Sequence, residues 1–461
     1  MTRRFLSVLP LAVSLAATSP VLAQTDVRFS TFNLSLNRDS AGQLVSDLSQ
    51  PGLANPAGNT EARRIEQAQR NAEIIQRVNP DVLLLNEFDY VTGQGGNEAI
   101  DLFRTNFLAA PQNNIAGTTG SSAINFPHRF TAPSNTGIAS GFDLNNNGNI
   151  VTTPGAAGYG DDSFGFGNYP GQFGMAFLSK FPIQSVRTFQ NFLWKDMPNS
   201  LLIADPTPLG AGNNLSEFYS PAERDILRLS SKSHWDVTLN IDGTLVHALV
   251  SHPTPPVFDG TEDRNGKRNF DEIRFWKDYI NGAGYMTDDQ GVAGGLAAGS
   301  AFFIMGDQNA DPFAGDAYTL NGVQAINQLL DDPLVDDGVA HRPDNNGGSL
   351  AEQPTPTPGD PQFDTADFNN AGPGNLRADY VLPSVAGIDP IDGEIFWLLP
   401  SDPLYGLTGS FGNPNLYSGF PTSDHRMTYV DVTVVPEPST AALLLGAGAV
   451  LGLRRRLRRQ H

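Results

Sequence analysis

Ser423-Asp424-His425 stands just before Met427-Thr428-Tyr429-Val430-Asp431-Val432-Thr433-Val434, a run rich in β-branched residues near the end of the chain. Such a run reads as a strand, and the triplet puts a hydroxyl, a carboxylate and an imidazole at its start. Three polar residues beside one strand say little. Earlier in the chain, however, further polar clusters each end or follow a β-type run: Thr31-Phe32-Asn33, Asn86-Glu87, Ser251-His252-Pro253, Gly306-Asp307-Gln308-Asn309 and Arg377-Ala378-Asp379-Tyr380. Polar groups gathered at strand ends are the usual way a layered fold builds a site.

Working outward, strands are expected over residues 27–36, 82–86, 175–179, 186–192, 235–241, 244–251, 301–305, 380–382 and 427–434. Asp242-Gly243 joins two of them as a hairpin turn. Residues 61–78 carry Ile65, Ala68, Ala72, Ile75 and Val78 at helical spacing, and Asn79-Pro80 ends that helix because the residue before proline is driven from the helical region. Residues 270–280 and 325–330 read as further helices. Residues 91–170, dominated by Gly, Asn, Ser and Thr, read as a long insertion over one end of the fold, and a Pro/Asn/Gly-rich stretch fills 341–374. No internal repeat is visible. Two β-rich halves of mixed pairing with helices outside predict an α/β fold, a layered sandwich.

The chain has 461 residues, 47 glycines, 34 prolines and no cysteine. Disulfides and thiolate metal sites are therefore excluded. Both ends read as processing signals. Arg3-Arg4, an apolar stretch over 5–17 and Val21-Leu22-Ala23 have the three parts of a secretory signal peptide over residues 1–23. At the other end, Val435-Pro436-Glu437-Pro438-Ser439 leads into an apolar stretch over 440–453 and then Arg454, Arg455, Arg456, Arg458 and Arg459. At about 1.5 Å per residue the apolar stretch is short for a spanning transmembrane helix. Without those seven arginines the formal charge of −20 becomes −27, so the mature domain has no net attraction for nucleic-acid backbones.

The order Pro-Glu-Pro, apolar helix, arginine cluster resembles the PEP-CTERM sorting tag of diderm bacteria, here over 436–461. The resemblance implies transit through the inner membrane, an encounter with an exosortase, and a final place in the periplasm, at the outer surface or outside the cell. The ordered polar clusters, in turn, resemble the endonuclease/exonuclease/phosphatase superfamily over the domain 24–435. That resemblance implies a four-layer α/β sandwich of two packed mixed sheets flanked by helices, with the site where strand ends meet. It also implies a metal-dependent phosphoric ester hydrolase.

The same resemblance implies a role for each residue. Glu87, with Asn33 and Asp424, would hold Mg²⁺ or Mn²⁺; hard divalent cations take oxygen ligands from one or two carboxylates. Asn86 stands where the family usually has Gln. Asp307 and Asn309 would form the nucleophile-side pair, the carboxylate orienting or deprotonating water and the amide donating to a phosphate oxygen. Gln308 replaces an aromatic residue frequent there. His425 would contact the phosphate or take the water's proton, with Asp379 fixing its tautomer. His252 would be the general acid for the leaving oxygen.

Two other segments leave alternatives open. Asp143, Asn145, Asn147 and Gly148 have the alternating oxygen ligands of a calcium loop, with Pro154 where a closing Glu belongs. The segment is either an additional Ca²⁺ site completed by Asp161 or Asp162, or an Asn-rich surface loop. Arg228, Lys232 and Trp235 gather at one strand start, which either touches substrate phosphate or is a solvated strand entry. The expected function is an exported phosphodiesterase or nuclease using in-line water attack. A sphingomyelinase-like lipid phosphodiesterase and a non-catalytic surface or matrix binding module are the alternatives.

Overall fold

A computed structural model of the protein describes residues 24–52, 59–91, 93–115, 117–210, 212–410 and 422–436. Its strands are β1 (Thr25–Leu36), β2 (Val82–Phe88), β3 (His128–Phe130), β4 (Met175–Ser179), β5 (Ile183–Thr188), β6 (His234–Ile241), β7 (Thr244–Ser251), β8 (Ala301–Asp307), β9 (Thr319–Leu320), β10 (Val323–Gln324), β11 (Asp379–Pro383), β12 (Ile388–Ile395) and β13 (Thr428–Val434). One sheet runs β12-β13-β1-β2-β4-β3 and the other β11-β8-β7-β6-β5, with β9 and β10 as a separate ribbon. Both sheets are mixed: β1 is parallel to β2 and β7 to β8, and the other pairings within them are antiparallel.

Period-two alternation explains the layers. On β2, Val82 and Leu84 point to the core between the sheets, whereas Leu83 and Leu85 point outward to a helix-covered core. Between the sheets Phe29 stacks on Phe303 with centroids 3.8 Å apart. The Thr60–Val78 helix covers the first sheet through Ile65, Ala68, Ala72, Ile75 and Val78, all buried. Asn59 caps its first turn by accepting from the Ala62 N–H, and Asn79 ends it in the left-handed conformation at φ 52°. The Arg264–Ile280 helix covers the second sheet through Phe270, Ile273 and Trp276. Helix, sheet, sheet, helix is the four-layer order expected.

Several expectations need correction. The strand expected over 186–192 is β5, Ile183–Thr188; beyond it Asp289 accepts from the Gln190 and Asn191 N–H groups and turns the chain away. The helix expected at 270 starts at Arg264, because its first turn is polar and shows no apolar period. That expected over 325–330 is only Asn327–Leu330. The stretch 91–170 is not all insertion: it supplies the Glu98–Leu102 helix and β3, which joins the first sheet. Edge strand β12 was not expected at all. The Asp242-Gly243 turn is as read, with φ 49° and 97°. No helix among the described residues is long and apolar enough to cross a membrane. The signal peptide and residues 437–461 of the sorting segment lie outside the described residues.

Candidate active site

The two sheets end together at one seam, and Asn33, Glu87, His252, Asp307, Asp379, Asp424 and His425 lie there. Asp307 closes β8 opposite Asp379, which opens β11. Asn33 lies opposite Asn86 on the parallel pair β1 and β2. His252 follows the last residue of β7, and Asp424 and His425 precede β13.

Local irregularity at the first sheet's edge aims these groups. The β1–β2 register slips between Asn33 and Leu36, with Ser35 at φ 47°, and Glu87 sits at φ 52°. Both are left-handed values that non-glycine residues adopt at a cost, commonly at functional sites. The bulge is pinned from below: Gln67 donates to the Ser35 carbonyl at 3.0 Å and to the Thr422 carbonyl at 2.7 Å, and Asn71 to the Leu34 carbonyl at 3.0 Å. The Ser35 hydroxyl then reaches Asp424 Oδ1 at 3.0 Å and Ser423 Oγ at 3.0 Å. One helix side chain thus ties the β1 bulge to the turn carrying the Ser-Asp-His triplet.

Asp307 is the point of convergence. Its Oδ1 accepts from the Asn309 N–H at 2.9 Å, and its Oδ2 from Asn33 Nδ2 at 3.1 Å. The same Oδ2 lies 3.4 Å from His252 Nε2 and 3.6 Å from His425 Nε2. His425 Nδ1 is 2.7 Å from Asp379 Oδ2, which also accepts from the Thr365 hydroxyl at 2.9 Å. The Asn309 amide donates to the Pro253 carbonyl at 3.2 Å. Arg377 turns from the seam to pair with Asp337 at 2.8 Å.

Charge follows this geometry. Burial opposes a charge on His425, but Asp379 and Asp307 outweigh it and hold the imidazole protonated well above its usual range. Burial, aided by Lys232, pushes His252 down to about 4, so it is neutral near pH 7. Burial raises Glu87 to about 7, and the neighbouring Asp424 adds to the rise. Two carboxyls crowded in this way are a donor set that a divalent cation would relieve, so Glu87 and Asp424 fit the metal expected. Asn33 fits less directly: its Oδ1 accepts from the Ser35 N–H at 3.1 Å, and its amide nitrogen serves Asp307. Asp307, Asp379 and His425 also lie close enough to share a metal ion, and within that group His425 Nδ1 and Asp379 Oδ2 are already joined at 2.7 Å.

A cavity of about 560 Å³ opens from Glu87 and His252. Lys232 and Arg268 line its cationic side; Leu144, Phe166, Phe173 and Phe258 line its apolar side. Phe258 is 88% exposed and Phe166 58% exposed.

The model of the Endonuclease/Exonuclease/phosphatase family matches residues 30–425. The chain belongs to that family. Members of this endonuclease/exonuclease/phosphatase family are generally hydrolases of phosphoester bonds. A PEP-CTERM protein-sorting motif matches residues 434–459 and marks the chain for the cell envelope or beyond. No curated protein matches the sequence. Among solved structures, the endonuclease/exonuclease/phosphatase protein of Beutenbergia cavernae is 18% identical, with 90% of this chain and 73% of that one covered, at a TM-score of 0.43. A family protein from Leptotrichia buccalis is 14% identical, covering 88% and 98%, at 0.39. A beta toxin of Staphylococcus aureus is 13% identical, covering 88% and 99%, at 0.41.

Other residues of the site were not legible in advance. Thr365 lies in the stretch read as a Pro/Asn/Gly-rich connection, and Gln67 was passed over between apolar positions. Glu272 accepts from the Ser231 N–H and the Thr254 N–H, each at 2.6 Å. A carboxylate on the buried face of an amphipathic helix was its only signal. The candidate calcium loop closes on itself: Asp143 accepts from the Asn147 and Gly148 N–H groups at 3.0 and 2.7 Å. Asp162 accepts from Leu144 and Val151, and Asp161 lines the cavity.

Proposed function

We propose that this protein is an exported, divalent-metal-dependent phosphodiesterase that hydrolyses its substrate by in-line attack of water. One observation carries the reading: two imidazoles converge on Asp307 Oδ2 beside the Glu87–Asp424 carboxylate pair. A cation held by Glu87 and Asp424, Mg²⁺ or Mn²⁺ by the hardness of the oxygen donors, supplies neutralisation of charge on the phosphoryl oxygens. Asp307 orients the attacking water and accepts its proton. The protonated His425, positioned by Asp379, faces the phosphoryl group and gives a proton to the leaving oxygen. That acid role was expected of His252, whose neutral ring instead helps fix Asp307.

Nucleic acid is the leading substrate by family analogy, while the acidic surface gives no help in attracting it. A second reading, a lipid phosphodiesterase, draws on exposed Phe166 and Phe258 at the cavity. Purified protein is to be assayed with Mg²⁺, Mn²⁺ or Ca²⁺ on plasmid DNA, RNA, sphingomyelin and bis-p-nitrophenyl phosphate, beside His425→Ala. Chelator-sensitive turnover lost in the variant is expected. Absence of turnover on all four would leave the chain a surface or matrix binding module. Turnover that survives His425→Ala would remove the assigned site. Loss on sphingomyelin vesicles alone in Phe258→Ser would select the lipid reading.

A further inference from the structure

The protein buries two lysines in very different ways. Lys267 is fully matched: its Nζ lies 2.7 Å from Asp205 Oδ2 and donates to the Asn213 carbonyl at 2.8 Å and Thr207 Oγ1 at 3.2 Å. Lys232 is only 5% exposed, and the one hydrogen bond of its Nζ among the described residues is to the Pro253 carbonyl at 3.3 Å. No described carboxylate lies within ion-pair distance of it. The nearest acid along the helix beneath, Glu272, spends both oxygens on the Ser231 and Thr254 N–H groups.

Those two bonds also fix where Lys232 is held. They join the turn before β6 to the turn after β7, and the Asn135 N–H holds the Lys232 carbonyl at 2.9 Å. The ammonium therefore stands in the cavity wall beside His252 and Glu87 on a clamped backbone. An ammonium has three N–H donors, and one is used. A buried cation without a counter-ion is costly, and the cost is recovered when an anion enters.

We propose that Lys232 binds a non-bridging oxygen of the substrate phosphoryl group from the His252 side of the cavity. The assignment rests on the phosphoester reading of the seam and deepens it: the substrate anion is gripped by a built-in lysine as well as by a metal. Burial lowers the pKa of Lys232, Glu272, Glu87 and Asp307 counter that, and an incoming anion favours the ammonium form.

The test uses the full purified chain, with inorganic phosphate as the probe, and compares Lys232→Met and Lys232→Arg. Millimolar phosphate is expected to raise the thermal midpoint of the wild type and not of Lys232→Met. Without phosphate, Lys232→Met is expected to unfold at the same or a higher temperature, because an unmatched buried charge has gone. On bis-p-nitrophenyl phosphate its KM rises about tenfold or more, and Lys232→Arg recovers part of that loss. A Lys232→Met midpoint lowered without phosphate, together with an undiminished phosphate shift, would make Lys232 structural and overturn the proposal. Should Lys232→Met not fold, Lys232→Gln gives the same readout. A Lys232-dependent phosphate shift with no diester turnover overturns the phosphodiesterase reading and leaves the anion site standing. Turnover with a phosphate shift indifferent to Lys232 overturns only the present assignment.

Discussion

The two sheets meet at one seam with opposite charge problems. The first brings Glu87 to the place where Asp424 stands, two carboxyls with no described lysine or arginine paired to either. The second brings Lys232, a buried lysine with no described carboxylate within ion-pair distance, beside a histidine kept neutral. Asp47, by contrast, is balanced locally by Arg38 and Arg64 at 2.8 Å each. Imbalance of opposite sign on the two sides of the seam suits the proposed site, which would take a cation and an anion together.

The largest effect should come from the negative side. Glu87→Gln is expected to lower metal-supported turnover roughly 10³-fold or more, since it removes a carboxylate ligand. The same change should raise the unfolding free energy by up to about 3 kcal/mol at pH 8, because a carboxyl that burial pushes up to about 7 no longer has to ionise in the fold. Denaturant titration beside steady-state rates separates the two; a variant that loses stability would break the comparison. His425→Ala follows. It should lower kcat by about 10²–10⁴-fold and, by stranding Asp379 in the interior, cost about 3–5 kcal/mol of stability. Asp379→Asn in the same background should return part of that stability without activity.

On the positive side, His234 tests whether a further cation is tolerated directly beside Lys232. It is buried two residues from Lys232, donating from Nε2 to the Glu272 carbonyl at 2.9 Å and accepting at Nδ1 from Ser230. Burial pushes it down to about 4, below the ordinary value near 6.5. Between those values the unfolded chain binds the proton and the folded one does not. Stability is therefore full above about pH 6.5 and falls as pH drops toward 4, by up to about 3 kcal/mol from this residue. The difference in unfolding free energy between wild type and His234→Gln should change by that amount over the window. A flat difference would mean that the ring is protonated in place and that this half carries two charges.

Much of this was open to sequence reasoning, because strand periodicity and a polar residue at the strand end are both local. Asn33, Glu87, His252, Asp307, Asp379, Asp424 and His425 could be collected on that ground, and the layered fold with them. What escaped is non-local or against local preference. Edge strand β12 carries Asp389, Pro390, Asp392 and Gly393, which oppose strand formation; at a sheet edge the missing proline N–H costs little, and the slip between Pro390 and Asp392 absorbs the rest. Thr365 acquires its role only because residues 366 and 425 bridge across the fold. For Lys232 the two readings, a phosphate contact and a solvated strand entry, are separated only by the burial of its side chain.

Gln67 is the subtlest of these, and it carries the smallest of the predicted effects. Its amide joins the Ser35 and Thr422 carbonyls, so it holds the bulge of β1 against the turn that delivers Asp424 and His425. In Gln67→Leu the volume is kept while two buried carbonyls lose a donor, at about 1–3 kcal/mol each at most and less where water can enter. The expected result is a fall of about 2 kcal/mol in stability and of about tenfold in kcat, with KM for a small diester nearly unchanged. That pattern separates positioning from binding: Gln67 touches the negative side only through the backbone, whereas the Lys232 variants act on KM. A Gln67→Leu protein that loses stability but keeps full kcat would mean that the triplet holds its own geometry. The two sides of the seam would then be coupled only through Asp307.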